Sequence, residues 1–328
     1  MDPVRTSQVT VDRHLSGDDR GVSLRADALD GLSRQRKGMP PKWFYDAEGS
    51  RLFDEVTRLP EYYLTRAERE ILLEHAAEIA GLSGADTIVE LGSGTSEKTR
   101  ILLTALADAD ALRRFVPFDV DETILLQAAD EIVALFPGVQ IHAVVGDFER
   151  HLAVLPRDGQ RMVAFLGSTI GNLDPDQRAT FLAQLRGAME PGETLLLGVD
   201  LLKDPARIVP AYDDSAGVGV RYSRNMLRVL NAELDADFDV DSFDHVARWN
   251  AEHERLEVGL RSRCDQTATV SAIDLEVEFR AGEEMHNQIS TKFRRDGIEA
   301  ELVSAGLAPV AWWTDAAGEF GLSLSRAV

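Results

Sequence analysis

Hydrophobic positions along this chain change rhythm three times. Polar residues dominate the first ~38 positions, which predict a flexible arm with one short helix around Leu24–Leu32 and a basic end, Arg34-Gln35-Arg36-Lys37-Gly38. Aromatic residues then cluster in Pro40-Pro41-Lys42-Trp43-Phe44-Tyr45-Asp46 and Leu59-Pro60-Glu61-Tyr62-Tyr63, either side of a predicted helix from Gly49 to Arg58. Thr65-Arg66-Ala67-Glu68 has the spacing of a capping box, opening a long amphipathic helix over Ala67–Ala80.

From Ala85 short apolar runs alternate with helical stretches. The runs are Thr87–Leu91, Phe115–Asp119, Ile141–Val145, Arg161–Leu166 and Thr194–Val199; the helices are Ser96–Ala107, Glu122–Leu135 and Pro175–Met189. Such alternation predicts βαβ units and a mostly parallel, doubly wound sheet. After Asp200 it stops. Strands at Arg255–Arg263 and Thr267–Phe279 predict an inserted α+β domain, after which a helix at Lys292–Gly306 and a hairpin of Val310–Thr314 with Phe320–Ser325 return to the sheet.

Composition narrows the function. The 328 residues suffice for about two domains. With 35 basic against 56 acidic side chains the net charge is −21, which disfavours a nucleic-acid partner. The single Cys264 excludes an intramolecular disulfide and fits a cytoplasmic location. Neither an export signal at Met1-Asp2-Pro3-Val4-Arg5 nor a membrane-spanning run of ~20 apolar residues is expected. No metal is expected either: Asp235–Asp241 imitates a calcium loop but has Val240 and Val246 where Gly and Glu belong, and His245 and His253 lack a zinc motif. Trp312-Trp313 reads as packing at the closing hairpin, and no obligate protein partner is evident.

Three strand ends carry candidate chemistry. Glu90-Leu91-Gly92-Ser93-Gly94-Thr95 links a strand to a helix, so backbone can approach a ligand beside a positive helix terminus; alone, a Gly-rich loop also reads as a tight strand-to-helix turn. Glu97 stands where a dinucleotide fingerprint needs its third Gly. Asp119 ends the next strand, where a carboxylate can accept two ribose hydroxyls, and Asp147-Phe148 ends the third, offering an acceptor for an exocyclic amine and a face for a purine. Gly-x-Gly, acid and Asp-Phe in that order describe a nucleoside site and match class I S-adenosylmethionine (SAM)-dependent methyltransferases. Gly167-Ser168-Thr169-Ile170-Gly171-Asn172-Leu173 follows the fourth strand, where Asn172 offers both a donor and an acceptor.

After Met39 the chain resembles the histidine Nα-methyltransferases of ergothioneine biosynthesis. The resemblance is carried by the two aromatic segments, by Glu90–Arg100 and Gly167–Leu173, and by Ala211-Tyr212-Asp213-Asp214, Ala281-Gly282-Glu283-Glu284-Met285 and Phe320-Gly321-Leu322-Ser323-Leu324. It implies a Rossmann-like core with a mostly parallel seven-stranded sheet (67–202 and 293–328) and a substrate-binding domain (1–66 and 203–292). It also implies three methylations of the α-amine of free histidine, giving hercynine. Carried over position by position, Glu90, Gly92, Ser93, Gly94, Lys98, Asp119, Asp147, Phe148 and Gly167 hold SAM. Tyr62, Asn172 and Tyr212 hold the amine and carboxylate, and Tyr45 lines the amine side.

Two positions depart from the family pattern. Its imidazole pocket uses a glutamate two residues before a serine; here Gln288 precedes Ser290 and brings no charge. Val258-Gly259 replaces a methionine and tryptophan, which suggests more room, and a hydrophobic pocket rejects a misfit by only ~1–3 kcal/mol per methylene. A tyrosine or tryptophan Nα-methyltransferase is therefore the alternative substrate reading. A SAM-binding module without turnover is the alternative of another class, and an O-methyltransferase would need a base or metal that the surroundings of Asn172 do not supply.

Overall fold

The computed structural model describes residues 8–15 and 17–328; the N-terminal pentapeptide lies outside them. The chain opens with β1 (Val9–Arg13), α1 (Gly17–Ser33), α2 (Ala47–Thr57) and α3 (Leu64–Ser83). The alternating part comprises β2 (Thr87–Leu91), α4 (Thr99–Asp108), β3 (Arg114–Asp119), α5 (Glu122–Leu135), β4 (Gln140–Val145), β5 (Arg161–Phe165), α6 (Pro175–Gly187) and β6 (Thr194–Asp200). Then come α7 (Pro205–Ile208), α8 (Val218–Leu234), β7 (Phe243–Asn250), β8 (Arg255–Ser262), β9 (Gln266–Val270), β10 (Leu275–Phe279) and β11 (Glu284–Thr291). Last are α9 (Arg295–Ser304), β12 (Leu307–Thr314) and β13 (Phe320–Ala327).

Contacts divide the chain into two units. The first contains residues 8–15, Leu64–Leu201 and Phe293–Val328; the second contains residues 17–63 and Leu202–Lys292.

In the first unit eight strands are ordered β1-β4-β3-β2-β5-β6-β13-β12. Neighbours from β1 to β6 run parallel, and β13 is antiparallel to both β6 and β12. Strands β2, β5 and β6 are buried at every position, which is why they read as unbroken apolar runs. The expected architecture thus stands with one more strand than the seven foreseen. Part of the segment read as a flexible arm, Val9–Arg13, pairs with Ile141–Val145 as β1. Only Val11 and the following Leu15 pack on the Leu125, Ala143 and Val145 cluster, so this edge strand lacks the apolar run that marked the others.

Helix boundaries correct two further expectations. Because α3 begins at Leu64, Thr65 lies inside the helix and no capping box forms; Glu68, its intended partner, is fully buried beside Ile71 and Leu72. Helix α4 begins at Thr99, three residues late, because Ser96 has a positive φ of 52°.

The second unit combines a three-stranded antiparallel sheet, β11-β8-β7, with the hairpin β9–β10 and helices α1, α2, α7 and α8. The single strand expected over Thr267–Phe279 is that hairpin, turning where Asp274 adopts the left-handed conformation. Helix α1 is longer than its apolar residues suggest. Leu24, Ala28 and Leu32, one per turn, pack on Trp43, Phe44, Met226 and Leu230, while its N-terminal part is polar.

Candidate functional site

In the first unit the carboxyl ends of β2, β3, β4 and β5 bring the predicted residues to one edge. After β2 the loop bends through Gly92 (φ 69°) and Gly94 (φ 47°), a conformation that glycine adopts without steric cost. Gly92 N–H and Ser93 N–H donate to Phe118 O at 2.8 and 3.0 Å. Gly94 N–H donates to Asp119 Oδ2 at 2.8 Å, and Asp121 N–H to Asp119 Oδ1 at 3.0 Å. The carboxylate at the end of β3 therefore shapes the glycine loop, while its own burial raises its pKa.

Glu90 is buried, with Thr99 Oγ1 donating to Oε1. Its Oε2 and the nearby Ser93 Oγ are buried and have no partner among the described residues. Desolvation pushes the Glu90 carboxyl up to about 7. Two unsatisfied oxygens beside backbone at positive φ suit a ligand that carries donors or positive charge.

Asp147 is buried at the end of β4, where its Oδ1 accepts from Glu149 N–H at 2.9 Å. Phe148 meets Phe165 and Phe181 edge-on, with centroids 5.3 and 5.9 Å apart. Asn172 closes the 3-10 turn after β5, which starts from Ser168 at a φ of 58°.

Glu68, read from sequence only as a helix cap, organises this edge. It accepts from Lys98 Nζ and, at 2.8 Å, from Gly167 N–H, so one buried carboxylate holds two predicted cofactor residues. A Cβ at Gly198 would lie 2.1 Å from Glu68 Oε1, which explains glycine in the middle of β6. The sequence signal was present: an acid three and four residues before Ile71 and Leu72 lies on the apolar face of its helix.

In the second unit a pocket is lined by aromatic residues and a few polar groups. Four residues expected on the substrate side, Tyr62, Tyr212, Val258 and Gln288, line it, together with Phe44, Phe53, Tyr222 and His245, which were not anticipated. Tyr45 is outside this lining, packed edge-on against Phe53 and Tyr222 at 5.8 and 6.2 Å. Ser290 is also outside it, with its Oγ 2.7 Å from Tyr212 Oη.

Register explains how β11 serves the pocket. A bulge falls between His286 and Gln288, after which Gln288 faces Val258 and Ser290 faces Leu256 across the strand pair. Side chains alternate along a strand, so the extra residue, Asn287, puts Gln288 and Ser290 on the same face as Val258. Gly259 has another purpose than room. A Cβ there would lie 2.7 Å from Met285 O, so glycine permits close approach of β8 and β11 and contributes nothing to the pocket lining.

Two further contacts set the electrostatics. His245 Nε2 lies 3.0 Å from Tyr212 O; a carbonyl only accepts, so this nitrogen carries the proton, and burial lowers the imidazole pKa. Burial and the neighbouring Tyr45 hydroxyl raise the Tyr222 pKa well above its ordinary value, keeping that phenol neutral. The features set aside in the sequence have local duties. Asp237 and Asp239 accept from Thr269 and Asp241 N–H, and Trp313 Nε1 donates to Glu78 at 2.9 Å. Among the described residues no three His, Cys, Asp or Glu side chains form a metal-sized group, and no helix is long and apolar enough to cross a membrane.

Residues 24–327 match a protein family described as histidine-specific methyltransferase, SAM-dependent. A histidine N-alpha-methyltransferase of Mycolicibacterium smegmatis is 57% identical over 312 residues, 95% of this chain and 97% of that protein. The Mycobacterium tuberculosis protein of the same name is 57% identical over 318 residues, 97% of this chain and 99% of its own. Ergothioneine biosynthesis protein 1 of Neurospora crassa is 30% identical over 292 residues, covering 87% of this chain but 33% of that larger protein.

Proposed function

The chain belongs to the SAM-dependent histidine-specific methyltransferase family, and we propose that it methylates the α-amine of free L-histidine three times to give hercynine, a step of ergothioneine biosynthesis. One observation carries the substrate side: the β11 bulge places Gln288 on the pocket face opposite Val258 and joins Ser290 to Tyr212. An amide and hydroxyls in an aromatic pocket suit a small zwitterion with a polar ring.

SAM, when bound, supplies a methyl group activated by a positive sulfonium. Glu90 and Ser93 would satisfy its cationic and polar groups with their unpartnered oxygens, Asp119 the ribose hydroxyls, and Asp147 and Phe148 the adenine. Gly92, Gly94 and Gly167 would allow close backbone approach, with Lys98 held ready by Glu68. Tyr62 and Tyr212 would hold the amine and carboxylate of histidine, and Gln288 with Ser290 its imidazole.

Only the neutral amine has a lone pair for in-line attack. Since an amine can lose its proton to water between transfers, the residues need to orient it and exclude water rather than supply a strong base. The aromatic group of Tyr45, Phe53, Tyr62 and Tyr222 suits an amine that ends permanently charged and methylated.

Calorimetric titration in the presence of S-adenosylhomocysteine tests this assignment. Histidine is expected to bind in preference to tyrosine and tryptophan, and Gln288→Glu to tighten histidine about tenfold by making the imidazole contact charge-assisted. Preferential binding of tyrosine or tryptophan, or no gain with Gln288→Glu, would refute it.

A further inference from the structure

Lys292, the residue after β11, is 1% exposed. Its Nζ donates to Ser290 Oγ at 2.7 Å and Tyr212 Oη at 3.0 Å, and lies 4.8 Å from the centroid of the Tyr212 ring. Since the two hydroxyl oxygens are themselves 2.7 Å apart, three polar atoms form a closed triangle.

Hydrogen counting limits what the triangle can offer a ligand. An ammonium only donates, so each hydroxyl oxygen commits one lone pair to Lys292. One hydroxyl hydrogen closes the Tyr212–Ser290 edge. A single hydroxyl hydrogen is then left to point outward. If it is that of Tyr212, Ser290 donates inward and keeps one lone pair for an outside donor. In the reverse arrangement Ser290 is the outward donor and Tyr212 the outward acceptor. A carboxylate accepts only, so a carboxylate at Tyr212 selects the first arrangement.

We propose that Lys292 is a positioning residue: its ammonium holds both hydroxyls in the closed triangle with one outward hydrogen, which the substrate carboxylate draws to Tyr212, and it sets a buried positive charge behind that contact. The inference deepens the amino-acid reading of this pocket and rests on it. Without Lys292 the triangle is open and the positive charge behind Tyr212 is gone, so selectivity for a carboxylate falls.

The test compares histidine with histidinol, which has an alcohol in place of the carboxylate, in the full-length wild type and in Lys292→Met, a near-isosteric variant without donors. The variant is expected to raise KM for histidine about tenfold or more, with a much smaller change in kcat. Its KM for histidinol should barely move and SAM affinity should hold, so the preference for the carboxylate collapses. Tyr212→Phe should collapse the same preference, and adding Lys292→Met to it should cost little more. Equal losses for histidine and histidinol, or a fall in kcat with KM unchanged, would overturn the role. Ser290→Ala keeps the Lys292–Tyr212 contact and should keep the preference; its collapse there would overturn the proposal even if Lys292→Met does not fold. Wild type that leaves histidine unmethylated would instead refute the substrate assignment, separating the two failures.

Discussion

Replacing Glu68 with alanine is expected to loosen SAM binding at least tenfold and to lower Tm by several degrees. The carboxylate is fully buried and joins Lys98 Nζ to Gly167 N–H. Truncating one partner of a buried ion pair costs ~3–5 kcal/mol, but the Lys98 side chain is 22% exposed and partly rescued by solvent, so about 2–3 kcal/mol is the expected loss. Glu68→Gln retains an acceptor for Gly167 N–H and should retain part of the stability. Thermal unfolding with and without SAM separates the effects: a structural residue alone would lower both transitions equally, whereas the cradle assignment predicts a smaller ligand-induced rise in the variant.

Glu90→Gln is expected to stabilise the ligand-free protein while weakening SAM about tenfold to a hundredfold. Burial raises the Glu90 carboxyl from 4.5 to about 7, so the folded state holds this proton more tightly than the unfolded chain. Its stability contribution is fully present below pH 4.5 and is lost as pH rises through 7, leaving an ionic form disfavoured by about 3 kcal/mol. The Glu90→Gln variant should thus match wild type near pH 4.5 and melt higher at pH 8. Binding of a cationic ligand favours the ionised carboxylate, so SAM uptake near pH 6 should release a proton, detectable by calorimetry in buffers of different ionisation enthalpy. Equal melting of both proteins at pH 8, with equal SAM affinity, would remove Glu90 from the site.

The sequence displayed the sheet most clearly where physics left least choice. Strands β2, β5 and β6 are covered on both faces, so their apolar runs could hardly mean anything else. Strand β1 escaped notice because an edge strand needs few apolar residues. The edge proposed to hold the cofactor was legible through Gly92, Gly94, Asp119 and Asp147, which follow or end consecutive strands and so carry their spatial order in their sequence order. Glu68 was missed because its neighbours imitate a capping box, and only the real start of α3 shows that its carboxylate is buried. On the substrate side, motifs pointed to Tyr62 and Tyr212, but Tyr222 joins them through helix packing. A bulge is likewise invisible in the residues flanking Asn287, although it decides which face Gln288 and Ser290 share. Gly259 shows the opposite error: a small residue read as pocket space is demanded by the backbone of the neighbouring strand.

The most direct measurement is mass spectrometry of purified full-length protein incubated with SAM and each proteinogenic amino acid separately. The account predicts histidine carrying three methyl groups on its α-nitrogen, three S-adenosylhomocysteine per product, and no comparable turnover of tyrosine or tryptophan. Methylation of tyrosine or tryptophan in place of histidine, or SAM bound without turnover of any amino acid, would contradict it.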